Sequence, residues 1–168
     1  YMHSIHQTWM EEQTEFDLSA TEARASYTKG EAQIIYLKLL GKESSRYSVN
    51  EPLRFLLRVH TKRAYTNLRL RIELRYGDDT PVGTMPNVPL GEFSANETRE
   101  AIVQWVPTGL TNGNYRTDLV LFEIDEFGNS FDEELLLPAF RFEINDFSDI
   151  IWNPRTWGHI RFPDARVE

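Results

Sequence analysis

PLRFLLRVHT at residues 52–61 and NLRLRIELRY at residues 67–76 decide how this chain folds. In the first, Leu53, Phe55, Leu57 and Val59 fall on one side while Arg54, Arg58 and His60 take the other. In the second, Leu68, Leu70, Ile72 and Leu74 alternate with Arg69, Arg71, Glu73 and Arg75. A period of two marks a β-strand with one buried face and one wet face. The connection at residues 62–66 is short, which predicts that the two strands lie side by side and antiparallel. Their shared wet face would then carry five arginines, in a chain whose formal net charge is -8.

Outward from this pair the same grammar continues. AQIIYLKLL at 32–40 reads as a first strand, 41–50 as a turn-rich loop, and Asn50-Glu51-Pro52 as a strand start at which proline costs no ladder donor. Gly77-Asp78-Asp79 is a tight turn into a short piece at 80–86, which its prolines confine to an edge; 86–96 reads as a loop. Strands follow at 98–106, 115–125 and 139–145, with an acidic loop at 125–134, and a last short strand is expected within 152–162. Tyr115 stands where sandwiches place a tyrosine corner. The sum is an all-β, antiparallel two-sheet sandwich of immunoglobulin-like or jelly-roll-like form, with about eight strands and no helix. Its expected core holds Leu53, Phe55, Leu57, Leu70, Ile72, Val103, Leu119, Leu121, Phe140 and Phe142. Residues 1–28 are polar and acidic and read as a linker, with Trp9, Met10 and Phe16 as groups that should dock somewhere; 29–168 form the sandwich. The chain starts with Tyr1, which fits a piece of a longer protein.

Composition narrows function. With 40% hydrophobic and 26% charged residues the chain can bury one core, and its acidic balance argues against nucleic acid as a partner. There is no cysteine, hence no disulfide, thiolate metal site or cysteine nucleophile. No apolar run is long enough for a membrane span. Nucleophile elbows, phosphate loops, His-Glu-x-x-His helices and dinucleotide fingerprints are missing, and Gly41-Lys42 lacks the rest of a P-loop. His3 and His6 have no third ligand, and the acidic loop departs from calcium-loop spacing. Asn96-Glu97-Thr98 is formally a glycosylation acceptor without a secretory signal ahead of it. No cofactor, metal or catalysis is expected.

The order of several weak signals carries a resemblance. Gly30-Glu31-Ala32-Gln33-Ile34, Asn50-Glu51-Pro52-Leu53, Val82-Gly83-Thr84-Met85-Pro86-Asn87, Gly113-Asn114-Tyr115 and the tryptophan segment 152–158 follow one another as in a known family. From about Tyr27 to the end the chain resembles the C-terminal domain of Wzt-type ATP-binding subunits, which serve the ABC exporters of O-antigen and related cell-surface polysaccharides. It departs from that pattern at Pro81-Val82 and at an inserted Met85-Pro86. The resemblance implies a non-catalytic β-sandwich that binds the exported glycan on the cytoplasmic side, peripheral to the inner membrane. It implies an upstream nucleotide-binding domain, a membrane subunit as partner, and a homodimer formed by exchange of the last strand. Trp152, Trp157, Ile160 and Phe162 are the candidate exchange residues. The alternative is a structural or adhesion-type sandwich that mediates protein contacts.

Glycan recognition needs rings that stack on the apolar side of a sugar and forked donors that match hydroxyls and carboxylates. Arg58, Arg69, Arg71, Arg75 and His60 are the candidate donors, with Tyr36, Tyr65 and Tyr76 as candidate rings at their border. Five like charges on one face favour an anionic polymer; the competing expectation is that each arginine pairs with a carboxylate on a neighbouring strand.

Overall fold

A computed structural model of the chain describes residues 13–25, 28, 30–145 and 150–168. Nine strands form among them: β1 (Glu15–Asp17), β2 (Ala32–Leu39), β3 (Arg46–Ser48), β4 (Leu53–Thr61), β5 (Tyr65–Tyr76), β6 (Pro81–Phe93), β7 (Glu97–Trp105), β8 (Gly113–Ile124) and β9 (Ser130–Asn145). They build two sheets, ordered β1-β2-β4-β7 and β3-β9-β8-β5-β6. Every pairing is antiparallel except the short one between β3 and β9. The two-sheet sandwich expected from the alternation is the observed architecture.

The core lies between the sheets because the apolar sides of β4 and β5 both turn inward. All ten core residues expected from the sequence are buried, Val103 at 6% being the most exposed. Phe140 of β9 sits at their centre, with its ring centroid 5.5 Å from Phe55 of the first sheet and 6.3 Å from Phe142 beside it. At one end the Tyr115 hydroxyl donates to the Thr111 carbonyl at 2.7 Å, which makes the expected tyrosine corner.

Three local readings change. Residues 13–25 are part of the sandwich instead of a linker: β1 pairs with β2, Leu18 is 5% exposed within the core, and Phe16 docks on Phe140 at 6.5 Å. Apolar groups in a polar segment went where burial was available; Trp9 and Met10 lie outside the described residues. β6 runs on to Phe93 despite Pro81, Pro86 and Pro89, because it is an edge strand and its pairing with β5 absorbs several register shifts. β9 begins at Ser130 inside the acidic run, whose carboxylates find distant partners described below.

Candidate functional site

β4 and β5 belong to different sheets, so the expected single arginine face does not exist. The connecting residues Lys62, Arg63 and Ala64 contain no glycine or asparagine, and none has a positive φ. A tight hairpin usually needs such residues. The connection is therefore an arch that carries the chain from one sheet to the other. Since both apolar sides face the core, the two arginine sides point to opposite outer surfaces.

On the outer side of the first sheet, Tyr36, Arg58 and His60 do come together. The Arg58 guanidinium lies over the Tyr36 ring, 4.6 Å from its centroid, and forms an ion pair with Glu100 at 3.1 Å. His60 shares a hydrogen bond with Thr98 at 2.8 Å. The Tyr36 hydroxyl donates to Glu15, and this bond is the main reason its pKa is raised.

On the outer side of the second sheet, Arg69, Arg71 and Arg75 stand in a row on β5. Arg71 reaches Glu73 and Asp132 at 3.4 and 3.5 Å, Arg75 reaches Asp118 at 3.3 Å, and Arg69 donates to Asn87 at 2.8 Å. Asp118 also receives Arg116 at 3.0 Å, and that bond is the main cause of the raised pKa of Arg116. Pairing with carboxylates is thus what Arg58, Arg71 and Arg75 do. The row also has a packing role. Val120 and Phe122 of β8 are buried on this outward side, opposite Arg71 and Arg69, and the Arg71 guanidinium lies 5.7 Å from the Phe122 ring. Arginine stems shield outward-facing apolar groups while their heads remain wet.

Tyr65 and Tyr76 do not border either row. Tyr65 is 1% exposed with its hydroxyl on Glu133 at 3.0 Å, and burial is the main cause of its strongly raised pKa. Tyr76 stacks on His159 at 4.2 Å and meets Tyr115 edge-on at 5.4 Å. Tyr76 continues the inward register of β5, and a register shift between Tyr65 and Leu68 brings Tyr65 inward as well, so both rings serve the core.

Where the arch meets the β8–β9 hairpin, the second sheet opens into a groove of about 710 Å³. Arg63 and Arg71 supply its cations, Glu123, Asp132 and Glu133 its carboxylates, Ser130 a hydroxyl and Phe131 a ring. Phe131 is 53% exposed. Arg63 holds Glu31, Glu123 and Glu133 at 2.9, 2.8 and 3.2 Å, and its own ring partner is Tyr65, at 3.9 Å. Burial lowers the Arg63 pKa, but the hydrogen bonds that it donates to Glu123 and Glu31 outweigh burial and leave it raised. One site residue named from the sequence, Arg71, is in this groove. Arg63 and Phe131 were missed because each lies in a stretch read as a connection. The signal that could have found Phe131 is its own exposure risk: a phenylalanine in an acidic run has no local core to enter.

At the C-terminus, residues 152–162 form no strand. Asn153 caps a single helical turn, α1 (Pro154–Trp157), and Ile160 makes one isolated bridge to Leu110. Pro154 and Gly158 bracket that turn, which breaks the run a strand would need. Trp152 donates to the Gly158 carbonyl at 2.7 Å and meets Trp157 edge-on at 5.2 Å. Ile160 packs on the core of its own chain, whereas Trp157 is 52% and Phe162 78% exposed. Among the described residues, no group of three His, Asp or Glu side chains is placed to hold a metal ion, and no helix is long and apolar enough to cross a membrane.

Neither family models nor curated proteins match the sequence. Among solved structures, the chain is similar to the alkylpurine DNA glycosylase AlkC of Pseudomonas fluorescens bound to DNA containing an abasic site analog, with a TM-score of 0.47 and 10% identity over 68% of this chain and 30% of that one. It is also similar to the CARDB domain of a Pyrococcus furiosus protein, with a TM-score of 0.37 and 15% identity over 64% and 89%. Neither likeness bears on the site. The crystal structure of the C-terminal domain of Wzt matches far better, with a TM-score of 0.67 and 14% identity over 89% of this chain and 91% of that one. The fold of this chain is the fold of the Wzt C-terminal domain, the one the sequence resemblance implied.

Proposed function

We propose that this chain is the non-catalytic glycan-recognition domain of a polysaccharide ABC exporter, and that the polymer lies in the groove around Arg71 and Phe131. Two lines support the exporter reading: the order of sequence signals and the fold shared with the Wzt C-terminal domain. The observation that carries the site is one exposed ring set among forked donors and carboxylate acceptors in a single groove. A ring stacks on the apolar face of a sugar, and the charged groups take its hydroxyls with strong hydrogen bonds. Because Arg63 and Arg71 are already met by carboxylates, the groove suits a hydroxyl-rich polymer more than a densely anionic one. Arg69 extends the row beside the groove; Tyr36, Arg58 and His60 lie on the opposite surface and cannot touch the same stretch of polymer.

With this reading come the remaining parts of the exporter. The domain works on the cytoplasmic side of the inner membrane, joined to a nucleotide-binding domain that engages the membrane subunit. It acts as a homodimer, because exposed Ile151 and Trp157 need a cover that a second copy can give.

The test is calorimetric titration of a panel of neutral and charged cell-surface polysaccharides into the wild type, Phe131→Ala and the Arg69→Ala, Arg71→Ala double variant. One polymer should bind the wild type, and each variant should weaken it by about tenfold, which is ~1.4 kcal/mol. Unaltered affinity in both variants, with the fold intact by circular dichroism, would move the site elsewhere.

A further inference from the structure

A second cavity, of about 370 Å³, lies at the far end of the sandwich between the 108–112 loop and the C-terminal segment. This volume is within the ordinary range of small-ligand pockets, roughly 300–1,000 Å³. Its apolar walls include Leu110, Trp152, Phe162 and Pro163, and its polar ones Asn50, Thr108 and Arg161. The walls are joined by hydrogen bonds, two between backbones, Arg161 N–H to the Gly109 carbonyl at 2.8 Å and Thr111 N–H to the His159 carbonyl at 3.1 Å, and one from Gly109 N–H to the Asn50 side-chain oxygen at 3.0 Å. Gly109 is needed for this closure. Its φ is +80°, and a Cβ there would come within 2.8 Å of the Arg161 carbonyl oxygen.

The side chains of Arg161 and Arg141 are both half-buried without a protein partner among the described residues, and Arg161 lines this cavity. Arg24, Arg58, Arg63, Arg71, Arg75 and Arg116 all sit against carboxylates. The Arg161 guanidinium has no ion pair, hydrogen bond or ring partner among the described residues, although the residue is only half-exposed. A forked cation without a carboxylate partner among the described residues, in one cavity with a tryptophan and an exposed phenylalanine, is chemistry laid out for a ring that carries a carboxylate.

We infer that this cavity binds one acidic pyranose unit, its carboxylate on Arg161 and its apolar face against Trp152 or Phe162. The choice of a sugar rests on the glycan reading above, but the site is separate from the groove. Among the described residues the Asn50 side chain is engaged through its oxygen, by Gly109, which leaves its amide N–H groups to serve a ring hydroxyl.

The experiment is chemical-shift perturbation by NMR with glucuronate and glucose as probes, on the wild type, Arg161→Gln, Gly109→Ala and Phe131→Ala. Glucuronate should perturb the indole resonance of Trp152 and bind at least about tenfold tighter than glucose, the scale of a charge-assisted bidentate contact. Arg161→Gln should remove that preference, Gly109→Ala should abolish binding by displacing the wall, and Phe131→Ala should leave glucuronate binding unchanged. Equal binding of glucose, no binding of glucuronate, or full binding by Arg161→Gln would each overturn the inference. Loss of glucuronate binding in Phe131→Ala would overturn it as well, by placing the acidic sugar in the groove. Failure of the polysaccharide to respond to groove variants, with glucuronate still dependent on Arg161, would instead sink the proposed groove and leave this site standing.

Discussion

Arg24 donates to the carboxylate of Glu134, and the pair joins the N-terminal segment to β9 in the interior, with side-chain exposures of 14% and 0%. Arg24 also donates to the Leu18 and Ile34 carbonyls at 2.9 and 3.0 Å, and Glu134 accepts from the Ile34 N–H, so the pair links both sheets. Burial raises the Glu134 pKa above its ordinary 4.5, with Arg24 and the Ile34 N–H opposing. Removing Arg24 leaves a buried carboxylate without its cation, held only by the Ile34 N–H. Arg24→Ala should therefore cost about 3–5 kcal/mol at neutral pH by chemical denaturation.

The same pair sets a pH dependence. A carboxyl whose folded pKa is raised favours the folded state below its unfolded value of 4.5, and that contribution is lost as pH rises through the folded value. The stability of the wild type relative to Glu134→Gln should accordingly rise as the pH is lowered from neutral toward 4.5. The Arg24→Ala deficit should shrink over the same window. Thermal melts of the three proteins from neutral to acidic pH check both signs; a deficit that grows on acidification refutes them.

Phe140 touches Phe16, Phe55 and Phe142 at ring-centroid distances of 6.5, 5.5 and 6.3 Å, so it packs against both sheets at once. Phe140→Ala opens a hole that strands from two sheets cannot close together, and should cost about 3–5 kcal/mol in urea unfolding.

Gly113 is hemmed in by Tyr76. A Cβ at Gly113 would lie 2.6 Å from the Tyr76 hydroxyl and 2.7 Å from a ring carbon, and the Tyr76 ring is held by His159 and Tyr115. Gly113→Ala should destabilise by about 1–3 kcal/mol, with the near-ultraviolet dichroism of the tyrosines changed.

Ile160 fills the side of the sandwich between β6 and β7, where Leu74, Met85 and Trp105 line a space of about 240 Å³. Deletion of the residues after Asn153 uncovers these groups, and should convert the proposed dimer to a monomer or to an insoluble product, as followed by light scattering. An unchanged soluble dimer shows that the C-terminal segment is not the connector.

Much of this was legible in the sequence. The period of two in residues 53–59 and 68–74 assigned the buried face of β4 and β5 correctly, because pleating alone determines which side chains share a face. Gly113-Asn114-Tyr115 likewise announced its corner, a contact closed within a few residues of chain. Pleating says nothing about which strand lies next to which. The sheet assignment of β4 and β5 follows from the arch at residues 62–64, and with it the separation of Arg58 from Arg71. The carboxylates of Glu133 and Glu134, read as a loop, are inside a strand because Arg63, Tyr65 and Arg24 arrive from distant parts of the chain to meet them. Local spacing determined the faces of this protein; the partners of its charges were decided only when two sheets came together, since a buried charge is tolerated where another group completes it.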